Sequence, residues 1–278
     1  MIQITNLSFG YNRKKTLFDN LNLSLDAGRI YGLLGKNGAG KSTLLRNICG
    51  VLFPTHGSIS VNGFAPQKRQ PGFLQDLYFI PEQIYVPRLS IEKYLYLYAP
   101  FYPKFDKNQF DAYMDALDVK GNPKLTDLSF GQQKKFIIAF GLACNTNILI
   151  MDEPTNGLDI PSKSQFRKLM ASALTDDRIF IISTHQVRDL DNLIDQVVII
   201  DEGSVLLNAS INEISDKLCF KLLPELPELD KVLFAESSMM GHAVVMPNTE
   251  GVETKVHLEY LFNAITAQPD KTKSIFNN

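Results

Sequence analysis

Residues 35–42 read Gly-Lys-Asn-Gly-Ala-Gly-Lys-Ser, and no other stretch restricts the folding of this chain so tightly. Glycines at 35, 38 and 40 let consecutive backbone amides turn toward one anion. The helix that must follow adds the partial positive charge of its N-terminus. An apolar strand, Ile30 to Leu34, precedes the loop, and helical periodicity begins at Lys41. This context makes the run a P-loop, able to wrap a nucleotide triphosphate, rather than a simple glycine-rich turn. Gly35, Gly38 and Gly40 are the close-approach positions, and Asn37, Ala39 and Thr43 belong to the same nucleotide-binding run. Lys41 is expected to reach the outer phosphates. The Ser42 hydroxyl is expected to ligate magnesium, a hard cation that takes oxygen donors.

A P-loop needs a sheet behind it, and the rest of the chain supplies one. Ile2 to Ser8 and Leu17 to Leu25 read as strands before the loop, and Ser58 to Asn62 and Leu77 to Ile80 as strands after it. From Ser90 the period becomes helical, with Ile91, Tyr94, Leu95 and Tyr98 on one face, and a largely helical insert runs to about Cys144. Continuous apolar runs at Ile148 to Met151, Ile179 to Ile182 and Val197 to Ile200 read as buried parallel strands. A helix between the first two carries Phe166, Leu169, Met170 and Ala173 on one stripe. Strand and helix alternate, so the core is α/β with a parallel sheet.

Two further elements carry chemistry. Asp152 and Glu153 close a buried strand at its carboxyl end, where ligands meet an open α/β sheet. Asp152 suits magnesium held through water, and Glu153 can orient and deprotonate a water aimed at a terminal phosphorus. Leu128-Ser129-Phe130-Gly131-Gln132 stands ahead of a helix with Phe136, Ile137 and Phe140 on its apolar face. Ser129 serves there as a helix N-cap, as part of a phosphate receptor, or as both.

Composition narrows the setting. With 278 residues, 45% hydrophobic and 21% charged, the chain is an ordinary globular protein of one large or two modest domains. A net charge of −2 gives no sign of nucleic-acid binding. Cys49, Cys144 and Cys219 are widely spaced and match no metal pattern, so reduced, buried thiols in a cytosolic setting are expected. The longest apolar stretch, Phe136 to Cys144, falls short of the ~20 residues that span a bilayer. Met-Ile-Gln-Ile-Thr-Asn at the start has no signal-peptide character, which predicts a chain that is not exported.

With these residues in order, the chain resembles the ATP-binding cassette of ABC transporters over roughly residues 1 to 218. Walker A falls at Gly35 to Ser42, the signature at Leu128 to Gln132, Walker B at Ile148 to Glu153, the D-loop at Gly157-Leu158-Asp159 and a switch histidine at His185. The fold implied is a P-loop NTPase cassette with a helical subdomain at about 88–144 and a small C-terminal module at 219–278. The resemblance implies that Tyr11 stacks on adenine and that His185 contacts the terminal phosphate. It also implies a head-to-tail homodimer clamping ATP between Lys41 of one copy and Ser129 with Gly131 of the other, with Gln132 in that signature and Asp159 at the interface. Two departures stand out. Phe130 occupies a usual glycine position, and Glu82 stands where a glutamine is usual, with Gln83 one residue late. By position Glu82 is the expected metal ligand.

Nine aromatics lie between Tyr78 and Phe105, where the family receives a helix of its membrane subunit; they fill either that groove or the core of the insert. Phe-Tyr-Pro-Lys-Phe-Asp at 101–106 and His-Leu-Glu-Tyr-Leu-Phe at 257–262 resemble ATPase subunits of ABC-2-type bacterial exporters. The expected protein is an ATPase driving an exporter whose multi-span membrane subunit is a separate chain, peripheral to the inner face of the cell membrane. Alternatives are a soluble ABC ATPase that remodels a cytosolic partner and the ATPase of an import system. In the last stretch, Ser210 and Glu213 form a capping box for a short helix with Ile211, Ile214 and Leu218 inward, and Pro-Glu-Leu-Pro-Glu-Leu at 224–229 suggests a boundary. His242 and His257 lack the neighbours of a metal site.

Overall fold

The computed structural model describes residues 1–12, 15–228 and 232–276. In chain order the elements are β1 (Ile2–Phe9), β2 (Phe18–Leu25), β3 (Arg29–Leu34), α1 (Lys41–Ile48), β4 (His56–Val61), α2 (Pro71–Gln75) and β5 (Leu77–Ile80). The helical stretch holds α3 (Ile91–Tyr98), α4 (Lys107–Ala116) and α5 (Phe130–Ala143). Then come β6 (Ile148–Asp152), α6 (Ile160–Ala173), β7 (Ile179–Thr184), β8 (Gln196–Asp201), β9 (Ser204–Ser210) and α7 (Ile211–Lys217). The chain ends in β10 (Leu218–Leu223), β11 (Phe234–Ser238), β12 (Gly241–Pro247), α8 (Leu258–Ala267) and α9 (Pro269–Phe276).

The main sheet runs β5-β6-β7-β3-β8-β9, parallel except for the antiparallel edge strand β9. Both of its faces are covered, and the two-residue period of a strand sorts side chains between them. Ile30 and Leu34 of β3, with Leu149 and Met151 of β6, enter one core cluster with α5 and α6. Tyr31 and Leu33, with Ile148 and Ile150, enter the other with α1 and the small antiparallel sheet β2-β1-β4. Each fully buried aliphatic side chain contributes roughly 1.5–3 kcal/mol, so the sheet is a rigid platform whose strand ends hold the loops that follow.

The P-loop is the connection from β3 to α1. Gly40, the N-cap of α1, has φ of 107°, and an added Cβ would lie 2.7 Å from the Phe18 ring. Only glycine fits there, on both backbone and steric grounds.

The aromatics of the insert divide between core and surface. Tyr94 is buried with edge contacts to Phe136 and Phe140 at 5.0 and 5.2 Å, and Tyr78 is buried beside Phe140. Tyr85, Tyr96 and Phe101 are exposed. Tyr98, expected on the inward face with Ile91, Tyr94 and Leu95, is 38% exposed because it stacks on the outer side of Tyr94 at 4.3 Å. All three cysteines are buried free thiols. No helix among the described residues is long and apolar enough to cross a membrane.

Beyond α7 the chain forms an antiparallel sheet β10-β12-β11 and two helices. Ser210 caps α7 through the Glu213 amide, Ile214 and Leu218 are buried, and Ile211 is half-buried. Of the proline-spaced segment 224–229, Leu229 lies outside the described residues. Leu258, Leu261, Ala264 and Ile265 of α8 join the same cluster as Val197, Ile199 and Leu207 of the main sheet. Arg188, in the turn after His185, pairs with Glu259 of α8 at 2.8 Å.

Candidate functional site

A cavity of about 510 Å³ opens where β3 gives way to α1. Asn37, Gly38, Gly40, Lys41, Ser42 and Thr43 line its floor, Glu82, Glu153 and His185 one wall, and Tyr11 with Asn12, Lys15 and Leu17 the mouth. Gly35 and Ala39 are buried behind the loop. The Lys41 ammonium donates to the Gly35 and Lys36 carbonyls at 2.8 and 3.2 Å. It is buried, which pulls its pKa down, while the fields of Glu153, Asp152 and Glu82 oppose that shift. α1 has no side-chain cap, so its first amides are open to an anion.

Glu153 follows β6 with φ of 50°, a left-handed conformation that is costly outside glycine. Its Oε1 accepts from the His185 amide at 2.9 Å and lies 2.7 Å from His185 Nδ1, and its Oε2 accepts from Thr184 at 3.1 Å. Asp152 is buried one residue earlier, accepting from the Ser183 hydroxyl. A second link runs through Asp189, which accepts from Thr155 and from Lys163, each at 2.7 Å. It fixes the segment after Glu153 to the turn after His185. Ser183, Thr184 and Asp189 were not foreseen as partners. The signal for the first two is their position at the end of β7, with Ser183 in register with Asp152.

The signature serine stands elsewhere. Ser129, Gly131, Gln132 and Asp159 do not line the cavity. Ser129 Oγ accepts from the Gln132 amide at 3.3 Å and Gln132 Oε1 accepts from the Ser129 amide at 3.0 Å, a complete capping box for α5. Asp159 caps α6 through Ser162, whose hydrogen bonds hold the carboxyl below the ordinary carboxylate range. Phe130 turns toward its own D-loop: an added Cβ on Gly157 would lie 3.0 Å from its ring.

Oxygen donors suit magnesium. The Ser42 hydroxyl and Glu82 carboxylate face the cavity, whereas Gln83 does not, and Asp152 lies buried at the end of β6. Among the described residues no cluster of three His, Cys, Asp or Glu groups forms a protein-only metal cage. This donor set fits an ion that arrives with phosphates and keeps part of its water shell.

A β3–loop–α1 cradle, a histidine at the end of the adjacent strand β7 and an acidic pair at the end of β6 beyond it together define an ATP-binding cassette ATPase. The model for the family "ABC transporter" matches residues 18–156, and the chain belongs to that family as an ATP-binding subunit. It is 33% identical over 210 residues to the bacitracin transport ATP-binding protein BcrA of Bacillus licheniformis, covering 74% of this chain and 68% of that one. It is 26% identical over 219 residues to the ABC transporter ATP-binding protein YtrB of Bacillus subtilis, covering 78% of this chain and 74% of that one. The fold matches a solved structure described as an ATP-binding subunit of an ABC transporter, with a TM-score of 0.70 and 24% identity over 77% of this chain and 91% of that one.

Proposed function

We propose that two copies of this chain assemble head to tail, so that each cavity is completed by the partner's Ser129 and Gly131. The observation that carries this is the division described above: Lys41, Ser42, Glu82, Glu153 and His185 share one cavity, while the signature residues lie outside it. Tyr11, 63% exposed at the mouth and fixed through its hydroxyl to Thr43 at 2.9 Å, offers a face for the adenine base. Lys41 exchanges loop carbonyls for the outer phosphates. Ser42, Glu82 and Asp152 would hold magnesium, which would neutralise charge on the phosphates. Glu153 takes a proton from the attacking water as the water oxygen bonds to the terminal phosphorus, and the bond to the ADP oxygen breaks. His185 keeps the Glu153 carboxylate oriented and senses departure of the phosphate.

The work done is transport. One relative is a bacitracin transport ATP-binding protein, and the 101–106 and 257–262 segments resemble ABC-2-type exporter ATPases. The reading is therefore an export ATPase at the inner face of the membrane, with residues 219–278 as an appended module packed on the cassette. Tyr85, Tyr96 and Phe101 are large exposed aromatics of the sort that anchor interfaces, and they are assigned to a separate membrane subunit.

The test uses Glu153→Gln, tagged in its native cell and recovered from detergent-solubilised membranes with ATP and magnesium. A multi-span membrane protein in the eluate supports the transporter reading. Soluble partners alone, with the protein absent from membranes, replace it with a cytosolic remodelling ATPase.

A further inference from the structure

Lys134 is the fifth residue of α5 and is fully enclosed. Its ammonium donates to the backbone carbonyl of Glu153 at 2.6 Å. The ring of Phe130, one helical turn earlier, covers it with the centroid 5.8 Å from Nζ. Among the described residues the ammonium is in no ion pair. Burial pulls its pKa down, and the fields of Glu82, Glu153 and Asp152 oppose that loss. A charge buried against one neutral carbonyl is a poor stabilising device, because desolvation outweighs what a single hydrogen bond returns.

What the contact does is local. It pins the carbonyl of a residue held at φ of 50°, and with it the peptide plane leading to Pro154. With that plane fixed, the Glu153 side chain leaves the turn in one direction, toward His185 and Thr184. Phe130 also packs on Gly157, and an added Cβ on Gly131 would meet the Gly157 carbonyl at 3.0 Å. The start of α5 is thus fastened to both ends of the Glu153–Gly157 segment.

We propose that Lys134 is a positioning residue for hydrolysis: through the Glu153 carbonyl it holds the left-handed turn that aims the Glu153 carboxylate. This rests on the reading of Glu153 as the base in a two-copy site. It assigns a purpose to the Phe130 departure as well, since the ring closes off the ammonium from water where a glycine would leave it open.

Lys134→Met keeps an unbranched, flexible side chain one atom shorter and removes the donor. Turnover falls by about ten- to a hundredfold, the scale of misaimed catalytic groups, while KM and ATP affinity stay within about twofold. Lys134→Arg, which retains donors, recovers several-fold over the methionine variant. Should the methionine variant not accumulate as folded protein, Lys134→Leu, which likewise has no donor, takes its place in the same comparison. Mixed dimers with one Glu153→Gln copy then locate the effect. Lys134→Met in the copy with intact Glu153 lowers the remaining turnover by the same factor, and in the other copy it leaves that turnover in place. The proposal is overturned by wild-type turnover, by a rise in KM with unchanged kcat, by arginine and methionine variants that are equally slow, or by loss that follows the Glu153→Gln copy. Glu153→Gln alone separates the two readings: normal hydrolysis by that variant removes the base assignment itself, whatever Lys134 does.

Discussion

Helices α1 and α5 begin with the same backbone chemistry and are finished in opposite ways. α1 starts at a left-handed glycine with no side-chain cap, and Lys41 sits in its first position over the loop carbonyls. α5 starts at Ser129 with a reciprocal capping box, which already partners the Ser129 and Gln132 amides. One N-terminus is a standing receptor for phosphate within this chain. The other keeps its caps within the chain and is exposed; in the proposed head-to-tail assembly it would exchange them for a nucleotide held by another copy. The proposed composite site would account for that asymmetry: binding would be local, and commitment to hydrolysis would wait for assembly.

The contrast breaks most decisively at Glu153. Glu153→Gln should lower turnover by about 10²–10⁴-fold, the usual contribution of a general base, with ATP binding retained in a filter or fluorescence assay; normal turnover would place the base elsewhere. At the standing receptor, Lys41→Ala should weaken ATP binding by about ten- to a hundredfold, the worth of a charged hydrogen bond, measured calorimetrically on dilute protein. Ser129→Ala tests the other helix. It should lower stability by about 1 kcal/mol as a lost cap and slow turnover, yet leave ATP affinity of the isolated monomer unchanged. A weakened monomer affinity would mean the two N-termini serve one cavity, and the contrast would fail. Smallest in effect on the protein alone is Tyr96→Ala, which should move the stability within ±0.5 kcal/mol as a surface change, leave basal turnover unchanged and abolish capture of the membrane subunit.

The open receptor was legible and the fastening behind it was not. Glycine spacing between an apolar strand and a helical period can be satisfied in few ways, so Gly35 to Ser42 placed β3, α1 and the cavity together. The apolar runs of β6, β7 and β8 were equally plain because strands buried on both faces leave no polar alternation to misread. β9 went unread because Ser204–Ser210 is a half-exposed edge strand whose partner, β8, fixes it through register rather than through its own pattern. Lys134 was hidden by chemistry: beside Lys135 it reads as a solvated pair. The available signal was helical spacing, since residues 134, 137, 138 and 141 form one stripe and all four are buried. Tyr98 misled in the opposite sense, as an inward-facing position at which the tyrosine stacks outward on Tyr94.

The burial of Cys49, Cys144 and Cys219 has a practical corollary. Burial pushes all three thiols up in pKa, so the nucleophilic thiolate is scarce as well as shielded. The native surface is therefore silent toward maleimides, and a cysteine introduced at an exposed position such as 93, about one helical turn from Tyr96, would be the sole site of labelling. One fluorophore there would report arrival of the membrane subunit, with no native thiol to remove first.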